Sequence, residues 1–301
     1  MIYTITLSPS IDYFVNNDKK FNSKGLNRIE EFSVLAGGKG INSSIILKRH
    51  GYDNTAITFL GGLTGNLIND LLKKEKVNVV NIPVKEQTRI NVKYFDKKDH
   101  FEINGPKTKI SNENIIELKK KLQKLNSKDV ILIMGISEEE TILDLAKFVT
   151  SKKAKIIIDI DSKVIFELLK FNPYLIKPNI NELESLFEKK IKKISDVKKY
   201  MEKLHELGAE NIIVSMGSKG SCVLSKNEFI HFEGQKPDEV ISTVGAGDTM
   251  ISLFTAKMLE GATIKDSLLF ATAGSLGTVS SIHLSDDKKT KYYLEKIKNN
   301  I

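Results

Sequence analysis

A glycine-rich turn that runs directly into an aspartate is the stretch of this sequence best suited to chemistry. Residues 242–250 read STVGAGDTM, and apolar residues at helical spacing follow. Gly245, Ala246, Gly247 and Asp248 therefore form the first turn of a predicted helix, whose free N–H groups can receive an anion. A carboxylate there can align a hydroxyl and take its proton as it attacks, which is the arrangement of phosphoryl transfer. The alternative is that Asp248 only caps the helix and offsets its dipole.

A second glycine turn carries a lysine. Residues 35–44 read LAGGKGINSS, with Lys39 between Gly38 and Gly40 at the start of a predicted helix. The stretch is neither a P-loop nor a dinucleotide-binding motif, because no Ser or Thr follows the lysine and the glycine spacing differs. An ordinary glycine turn is the alternative. A lysine held between two glycines packs little, however, and is well placed to bind an anion.

Two further stretches suit a nucleotide and its metal. In LIKPNINELESL, residues 175–186, Asn179 and Glu182 have the spacing of a capping box. Capping is the simpler interpretation, but the same oxygens would also serve as outer-sphere partners of Mg²⁺. In VSMGSKGS, residues 214–221, a strand precedes a glycine loop that suits a nucleotide lying over strand ends. The five histidines and one cysteine show no spacing typical of a zinc site.

Composition excludes several other classes of protein. The chain has 301 residues, near the upper limit for one hydrophobic core, so we expect a single domain over residues 1–301. The net charge of +8 comes from scattered lysines, without the basic stripes typical of nucleic-acid binding. The sequence contains no run of about 18 apolar residues, so it does not predict a membrane-spanning helix. The N-terminus resembles a strand rather than a signal peptide, and Cys222 is the only cysteine, so we expect a cytoplasmic protein.

The elements that must position these stretches alternate along the chain. Apolar runs such as DVILIMGI and KIIIDI are separated by amphipathic segments. This pattern predicts an α/β fold with a Rossmann-like three-layer core, in which helices cover both faces of a mostly parallel sheet. Ligands of such folds collect at the carboxyl ends of the strands. The residues to inspect after the apolar runs are Ser8, Asp12, Gly61, Gly62, Gly135, Asp159, Asp161, Lys177, Asn179, residues 215–220 and the loop 242–250.

Two segments interrupt this alternation, residues 10–35 and 86–104. Neither has helical periodicity, and the second contains TRINVKYFDKKDHFEING, which looks like two strands around the polar turn DKKD. Strands without an intervening helix cannot join a parallel sheet by ordinary crossovers. We therefore predict a small β-sheet lid over one edge of the main sheet. A homodimer through that lid is also expected, because an exposed sheet edge is commonly covered by pairing.

Taken together, these stretches resemble the ribokinase-like carbohydrate kinases of the PfkB family. The resemblance runs in order from TITLSPSID through AGGKGIN and LIKPNINEL to STVGAGDTM, and so covers most of the chain. TRINVK and EINGP, residues 88–93 and 102–106, are most similar to the branch that acts on fructose 1-phosphate. The resemblance implies ATP-dependent phosphorylation of its 6-hydroxyl to give fructose 1,6-bisphosphate. The alternatives are a tagatose-6-phosphate kinase or 6-phosphofructokinase of the same family, and a non-enzymatic sugar-phosphate sensor.

The resemblance also implies a role for each candidate site residue. Asp248 would be the catalytic base, with an anion hole made by the amides of Gly245, Ala246 and Gly247. The sugar phosphate would be bound by Asp12, Gly38, Lys39, Asn42 and, from the lid, Arg89. The ATP-binding site would be lined by Lys177, Ser215, Gly217, Ser218, Gly220, Ser242 and Thr243. Asn179 and Glu182 would support Mg²⁺.

Three segments depart from the family pattern. Residues 8–10 read Ser-Pro-Ser where the family has Asn-Pro-Ala/Ser. Residues 135–138 read Gly-Ile-Ser-Glu in place of Gly-Ser-Leu-Pro, and residues 159–162 read Asp-Ile-Asp-Ser in place of Asp-Thr/Ser-Ser-Gly. Because the catalytic motif is intact, these departures bear on the choice of sugar rather than on kinase activity.

Overall fold

The computed structural model describes residues 1–17, 20–95, 100–135, 137–226 and 228–299. Its strands are β1 (Ile2–Thr6), β2 (Ser10–Asn16), β3 (Glu31–Gly37), β4 (Asn54–Leu60), β5 (Asn78–Pro83), β6 (Arg89–Phe95), β7 (His100–Asn104), β8 (Val130–Met134), β9 (Lys155–Asp159), β10 (Leu175–Ile176), β11 (Asn211–Ser215), β12 (Gly220–Ser225) and β13 (Glu228–Glu233). Its α-helices are α1 (Lys39–Arg49), α2 (Gly62–Lys74), α3 (Asn112–Lys121), α4 (Glu139–Ser151), α5 (Ile165–Leu169), α6 (Ile180–Phe187), α7 (Ile194–Glu206), α8 (Ala246–Leu259), α9 (Ile264–Val279) and α10 (Asp287–Lys298).

A nine-stranded sheet runs through the described residues in the order β13-β12-β11-β10-β9-β8-β1-β4-β5. The strands from β11 to β5 pair in parallel, and β12 and β13 extend one edge in antiparallel fashion. Both faces are apolar: in β8, Ile131 and Ile133 join one core cluster, while Leu132 and Met134 join the other. Helices α3 to α7 cover the first face, and α1, α2, α8 and α9 cover the second. The predicted three-layer α/β fold is confirmed.

A second, smaller sheet is formed by the two segments that lack helical periodicity. Its order is β3-β2-β6-β7, with β2 and β6 parallel and the outer strands antiparallel to them. The predicted turn DKKD, residues 96–99, lies outside the described residues. We call this four-stranded sheet the lid.

The two faces of the lid differ in chemistry, because side chains alternate along each strand. The register places on the apolar face Ile11, Tyr13, Val15, Phe32, Val34, Ala36, Ile90, Val92, Tyr94, Phe101 and Ile103. The opposite, mostly polar face includes Ser10, Asp12, Ser33, Arg89, Asn91, Lys93, Glu102 and Asn104. Arg89 donates a hydrogen bond to the carbonyl of Ser8, just after β1. The polar face is therefore turned towards the carboxyl edge of the large sheet.

Helix α1 begins at this same edge and lies directly on β1. A Cβ atom at Gly40 would come within 2.9 Å of the Ile5 carbonyl oxygen, so a larger residue would push the helix away from the strand. The loops after the parallel strands also open at this edge, since parallel strands share one carboxyl end. The predicted candidate residues are thereby brought near one another.

No helix in the described ranges combines the length and the apolar character needed to cross a bilayer.

Candidate active site

The glycine turn before α8 leaves some backbone amides without a helical acceptor, although the amide of Ala246, a predicted anion-hole donor, donates to the Thr243 carbonyl at 3.4 Å. Gly245 has φ 81° at the N-cap, a left-handed conformation that favours glycine. The first amide bonded within the helix is that of Thr249, which donates to the Gly245 carbonyl at 2.8 Å. The amides of Gly247 and Asp248 precede that bond, so they lack a helical acceptor and can bind an anion.

Asp248 does not serve as the side-chain cap of α8. The helix has no side-chain cap hydrogen bond, and Oδ2 of Asp248 instead accepts from Nδ2 of Asn42 at 2.7 Å. The residue is only 6% exposed. Burial, reinforced by the negative charge of Asp159, raises the pKa of Asp248 to about 6. A carboxyl group held in this way by α1 can act as a base near neutral pH.

Asp159, at the end of β9, lies between two lysines. Its Oδ1 is 3.1 Å from Nζ of Lys39, and its Oδ2 is 3.7 Å from Nζ of Lys177. Burial opposes ionisation of Asp159, but the two cations outweigh it and hold its pKa below the usual range. Among the described residues Oδ2 has no hydrogen-bond partner although it is fully buried. Sequence reasoning marked Asp159 as a strand-end residue but gave it no role.

Lys177 also reaches the glycine turn. A Cβ atom at Gly247 would lie 3.1 Å from Nζ of Lys177, so glycine at this position permits the close approach of the ammonium group. Lys39, predicted to contact the sugar phosphate, makes its observed ion pair with Asp159. The edge therefore places two cations, an anion-binding turn and the Asp248 carboxyl group together.

The capping box predicted at α6 is confirmed. The Asn179 side chain accepts from the Glu182 amide at 2.9 Å, and Glu182 accepts from the Asn179 amide at 2.8 Å. Burial raises the pKa of Glu182, and Asp159 adds to that effect. Within the described ranges, no group of three or more His, Cys, Asp or Glu residues forms a metal cage.

The proposed nucleotide segments lie at the same edge. A β-bridge joins Asn179 to Ser215, which places the loop after β11 beside the start of α6. A short 3₁₀ turn, Gly217–Lys219, includes Ser218, and Gly220 follows at φ 98°. Ser242 is buried, and its hydroxyl accepts a hydrogen bond from the Val244 amide at 3.2 Å, whereas Thr243 is exposed. The hydroxyl of Ser242 thus supports its own turn.

On the lid, Asp12 is held by several donors. Its Oδ1 accepts from Ser10 Oγ at 2.7 Å and from Asn91 Nδ2 at 3.0 Å, and its Oδ2 lies 3.4 Å from Lys93 Nζ. A Cβ atom at Gly37 would come within 2.4 Å of the carboxyl carbon, so glycine is needed beneath it. Sequence reasoning missed Asn91 and Lys93, although they alternate with apolar residues along β6.

Arg89 has an unused donor. Its Nη2 and Nη1 donate to the carbonyls of Ser8 at 3.2 Å and Gly105 at 3.4 Å. Its Nε is buried and has no partner within the described part of the chain. Burial lowers the pKa of Arg89, and Asp12 opposes that shift. A half-buried guanidinium with a donor that has no partner among the described residues is suited to an anionic ligand.

The lid and the sheet edge are joined by adjacent glycines. Gly37 ends β3 beneath Asp12, and Gly38, at φ 117°, is the N-cap of α1. A ligand held by Asp12 therefore lies next to the helix that carries Asn42 to Asp248. The predicted residues form two neighbouring groups rather than one: Asp248 with the cations at the sheet edge, and Asp12 with Arg89 on the lid.

Comparison with known proteins gives a consistent result. The sequence profile described as "pfkB family carbohydrate kinase" matches residues 5–290. The chain is 36% identical to a 1-phosphofructokinase of Borreliella burgdorferi, covering 99% of this chain and 98% of the relative. It is 32% identical to a D-tagatose-1-phosphate kinase of Bacillus licheniformis, covering 96% of each. Phosphofructokinase-2 of Escherichia coli, solved with substrates and products, superposes with a TM-score of 0.93 at 25% identity over 99% of both chains.

The geometry predicts how the charge of Asp159 affects Asp248. Replacing Asp159 with Asn removes the neighbouring negative charge while Lys39 and Lys177 remain, so the pKa of Asp248 should fall below its present value of about 6. Carboxyl-carbon NMR titration of aspartate-labelled protein measures this, with Asp248→Asn used to assign the signal. An unchanged pKa would show that burial alone sets the ionisation of Asp248.

Proposed function

The chain belongs to the pfkB family of carbohydrate kinases, and on that premise we propose that it phosphorylates fructose 1-phosphate at the 6-hydroxyl, using ATP. The product is fructose 1,6-bisphosphate. The observation that carries this proposal is the buried Asp248, held by Asn42 beside the open amides of a glycine turn. The relatives named above support a phosphorylated ketose as the acceptor.

Asp248 acts as the base in the proposed reaction. Its carboxylate takes the proton of the 6-hydroxyl as that oxygen bonds to the γ-phosphorus, and the bond from phosphorus to the bridging oxygen of ADP breaks. Negative charge on the transferred group is stabilised by the amides at Gly245, Ala246 and Gly247 and by the nearby ammonium of Lys177. The hydrogen bond from Asn42 keeps the carboxylate in one orientation.

ATP lies along the carboxyl edge in this proposal. Two segments contact the nucleotide. They are the loop that contains Ser215, Gly217, Ser218 and Gly220, and the segment before α8 that contains Ser242 and Thr243. Mg²⁺ would be supported by Oδ2 of Asp159, which has no hydrogen-bond partner among the described residues, and by the carboxylate of Glu182, because both supply oxygen partners for its water shell. Asn179 orients Glu182 through the capping box. When bound, the metal neutralises charge on the phosphoryl oxygens.

The sugar phosphate spans the two groups of residues. Asp12 accepts hydrogen bonds from sugar hydroxyls, and Gly38, which has φ 117° at the N-cap of α1, contacts the sugar through its backbone. The free Nε of Arg89 binds the phosphate that does not react. Lys39 contributes positive charge between the lid and the edge, where it remains paired with Asp159.

The alternatives are weaker. The names of the two relatives, 1-phosphofructokinase and D-tagatose-1-phosphate kinase, refer to sugars phosphorylated at position 1, which favours a 1-phosphate over a 6-phosphate as the substrate. A sensor that kept the fold has no use for a base, and the chemistry of Asp248 is intact. The altered segment at residues 135–138 includes Ile136, which lies outside the described residues.

A coupled assay of ADP release tests the proposal. Fructose 1-phosphate, tagatose 1-phosphate, fructose 6-phosphate, tagatose 6-phosphate and free fructose are compared with ATP and Mg²⁺ in excess. We expect the highest kcat/KM for fructose 1-phosphate. A higher value for tagatose 1-phosphate, for either 6-phosphate or for free fructose would overturn the assignment.

Asp248→Asn should lower kcat by about 10²–10⁴, because the base is lost while the side-chain volume is kept. In the wild type, kcat should rise as pH increases through about 6, since the carboxyl group must be deprotonated to accept a proton. Binding of ATP, measured by calorimetry, should change little in the variant. A variant with near-normal kcat would reduce Asp248 to a structural residue.

Arg89→Ala should raise KM for fructose 1-phosphate strongly and also lower kcat, because binding energy at the phosphate orients the reacting hydroxyl. Free fructose has no phosphate, so its slow turnover should barely change. Steady-state kinetics with both sugars give the comparison. Equal damage with the two sugars would contradict the role of Arg89 as a phosphate ligand.

We also propose that the lid pairs with the lid of a second copy of the chain. Its apolar face leaves Phe32, Ile90 and Ile103 exposed by 59%, 48% and 60%. These residues lie on three strands of one sheet face, and several exposed apolar side chains on one face are typical of an interaction site. Sedimentation velocity should show a dimer for the wild type and a monomer for Phe32→Asp. Ile116→Asp, at an exposed position on α3, is the matched control, and a monomeric wild type would refute the dimer.

A further inference from the structure

Lys93 is a buried cation on the polar face of the lid. The residue is 7% exposed, and its Nζ lies 3.4 Å from Oδ2 of Asp12, 3.8 Å from Oε1 of Glu102 and 5.4 Å from the centre of the Phe14 ring. Lysine is almost never buried without a partner, because its ammonium group is strongly hydrated in water. The burial of Lys93 beside Asp12 therefore requires an explanation, either in the stability of the lid or in the binding of a ligand.

The lid does not need this ion pair to hold its strands together. Strands β2 and β6 are already joined by a parallel ladder that runs from Ser10 opposite Arg89 to Asn16 opposite Phe95. A buried ion pair is weak evidence for stability, since apolar residues of similar volume often stabilise a fold equally well or better. A charged residue at position 93 is thus better explained by the ligand than by the sheet.

Asp12 presents an electrostatic problem for the ligand proposed above. The Asp12 carboxylate lies against Gly37 and, in the proposed function, binds sugar hydroxyls. Arg89 on the neighbouring strand, whose Nε has no partner among the described residues, binds a phosphate dianion in the same proposal. An unpaired carboxylate in this buried place would repel that dianion, because charges interact strongly when little water lies between them. Ser10 and Asn91 donate neutral hydrogen bonds to Asp12 and cannot cancel its charge.

We propose that Lys93 is a specificity-determining residue, which neutralises Asp12 so that the lid accepts a sugar carrying a phosphate in preference to an unphosphorylated one. This inference rests on the proposed sugar-phosphate kinase function. Arg89 contacts the phosphate, whereas Lys93 acts through Asp12 and through the local potential. The polar face of the lid thereby recognises hydroxyls and phosphate at adjacent positions with the Asp12 carboxylate and two cations, while the more exposed Glu102 lies on the far side of Lys93 at 3.8 Å.

The test removes the charge of Lys93 and keeps its hydrogen bond. In Lys93→Gln, the side-chain amide can still donate to Asp12, so the lid should fold, as thermal unfolding will report. The ratio of kcat/KM for fructose 1-phosphate to kcat/KM for free fructose should fall by about tenfold or more, mainly through KM for the phosphate ester. Lys93→Arg should restore most of the ratio. Lys85→Gln, the same change at an exposed position, should leave it unaltered.

The outcomes separate this inference from the proposed function. If the wild type prefers an unphosphorylated sugar, the proposed function fails. If the wild type prefers the phosphate ester but Lys93→Gln keeps the wild-type ratio, or loses both activities equally, the role of Lys93 is refuted and the function stands. If Lys93→Gln does not fold, the same ratio is measured for Lys93→Met, which removes the charge while keeping a side chain of similar length, and a wild-type ratio in that variant refutes the role of Lys93.

Discussion

The ion pairs of Asp159 are the interaction on which the rest of the site depends. A carboxylate buried at the end of a strand is tolerable only when cations face it, and here they come from two directions. Lys39 reaches it from the first turn of α1, and Lys177 from the end of β10. The pairing fixes the glycine turn before α1, and it also holds Lys177 close to Gly247. One buried charge thus sets the relative positions of two glycine turns that are far apart in sequence.

The same charge gives the two aspartates of the edge different protonation behaviour. Asp159 faces two cations and stays ionised, whereas Asp248, equally buried, has one neutral donor in Asn42 and a raised pKa. Two aspartates in one small region therefore differ in pKa: that of Asp159 is lowered by its cations, and that of Asp248 is raised to about 6, where the group can accept a proton near neutral pH. Such separation of neighbouring carboxyl groups is how a fold obtains a base at neutral pH. The protein needs no histidine for this purpose.

The fold and much of the site follow from local sequence features. Apolar runs at strand length and amphipathic segments define the three layers, and the rule that ligands gather at strand ends brings Lys177, Asn179 and Asp248 together. The capping box was readable because its residues are three apart. The role of Asp159 was not, because its partner Lys39 is 120 residues away. Alternation along β6 indicates that Asn91 and Lys93 share a face, but only the pairing with β2 shows that Asp12 lies on it.

The opposite faces of the lid have a consequence for how this protein can vary. Strand β6 places Arg89, Asn91 and Lys93 on one side and Ile90, Val92 and Tyr94 on the other. Inserting or deleting one residue within it would exchange the two sets, turning apolar side chains to the polar face of the lid and charged ones to its apolar face. A single insertion or deletion would therefore disrupt both faces of the lid. Single-residue insertions and deletions should therefore accumulate in the connections between lid strands, while the strands themselves change only by substitution.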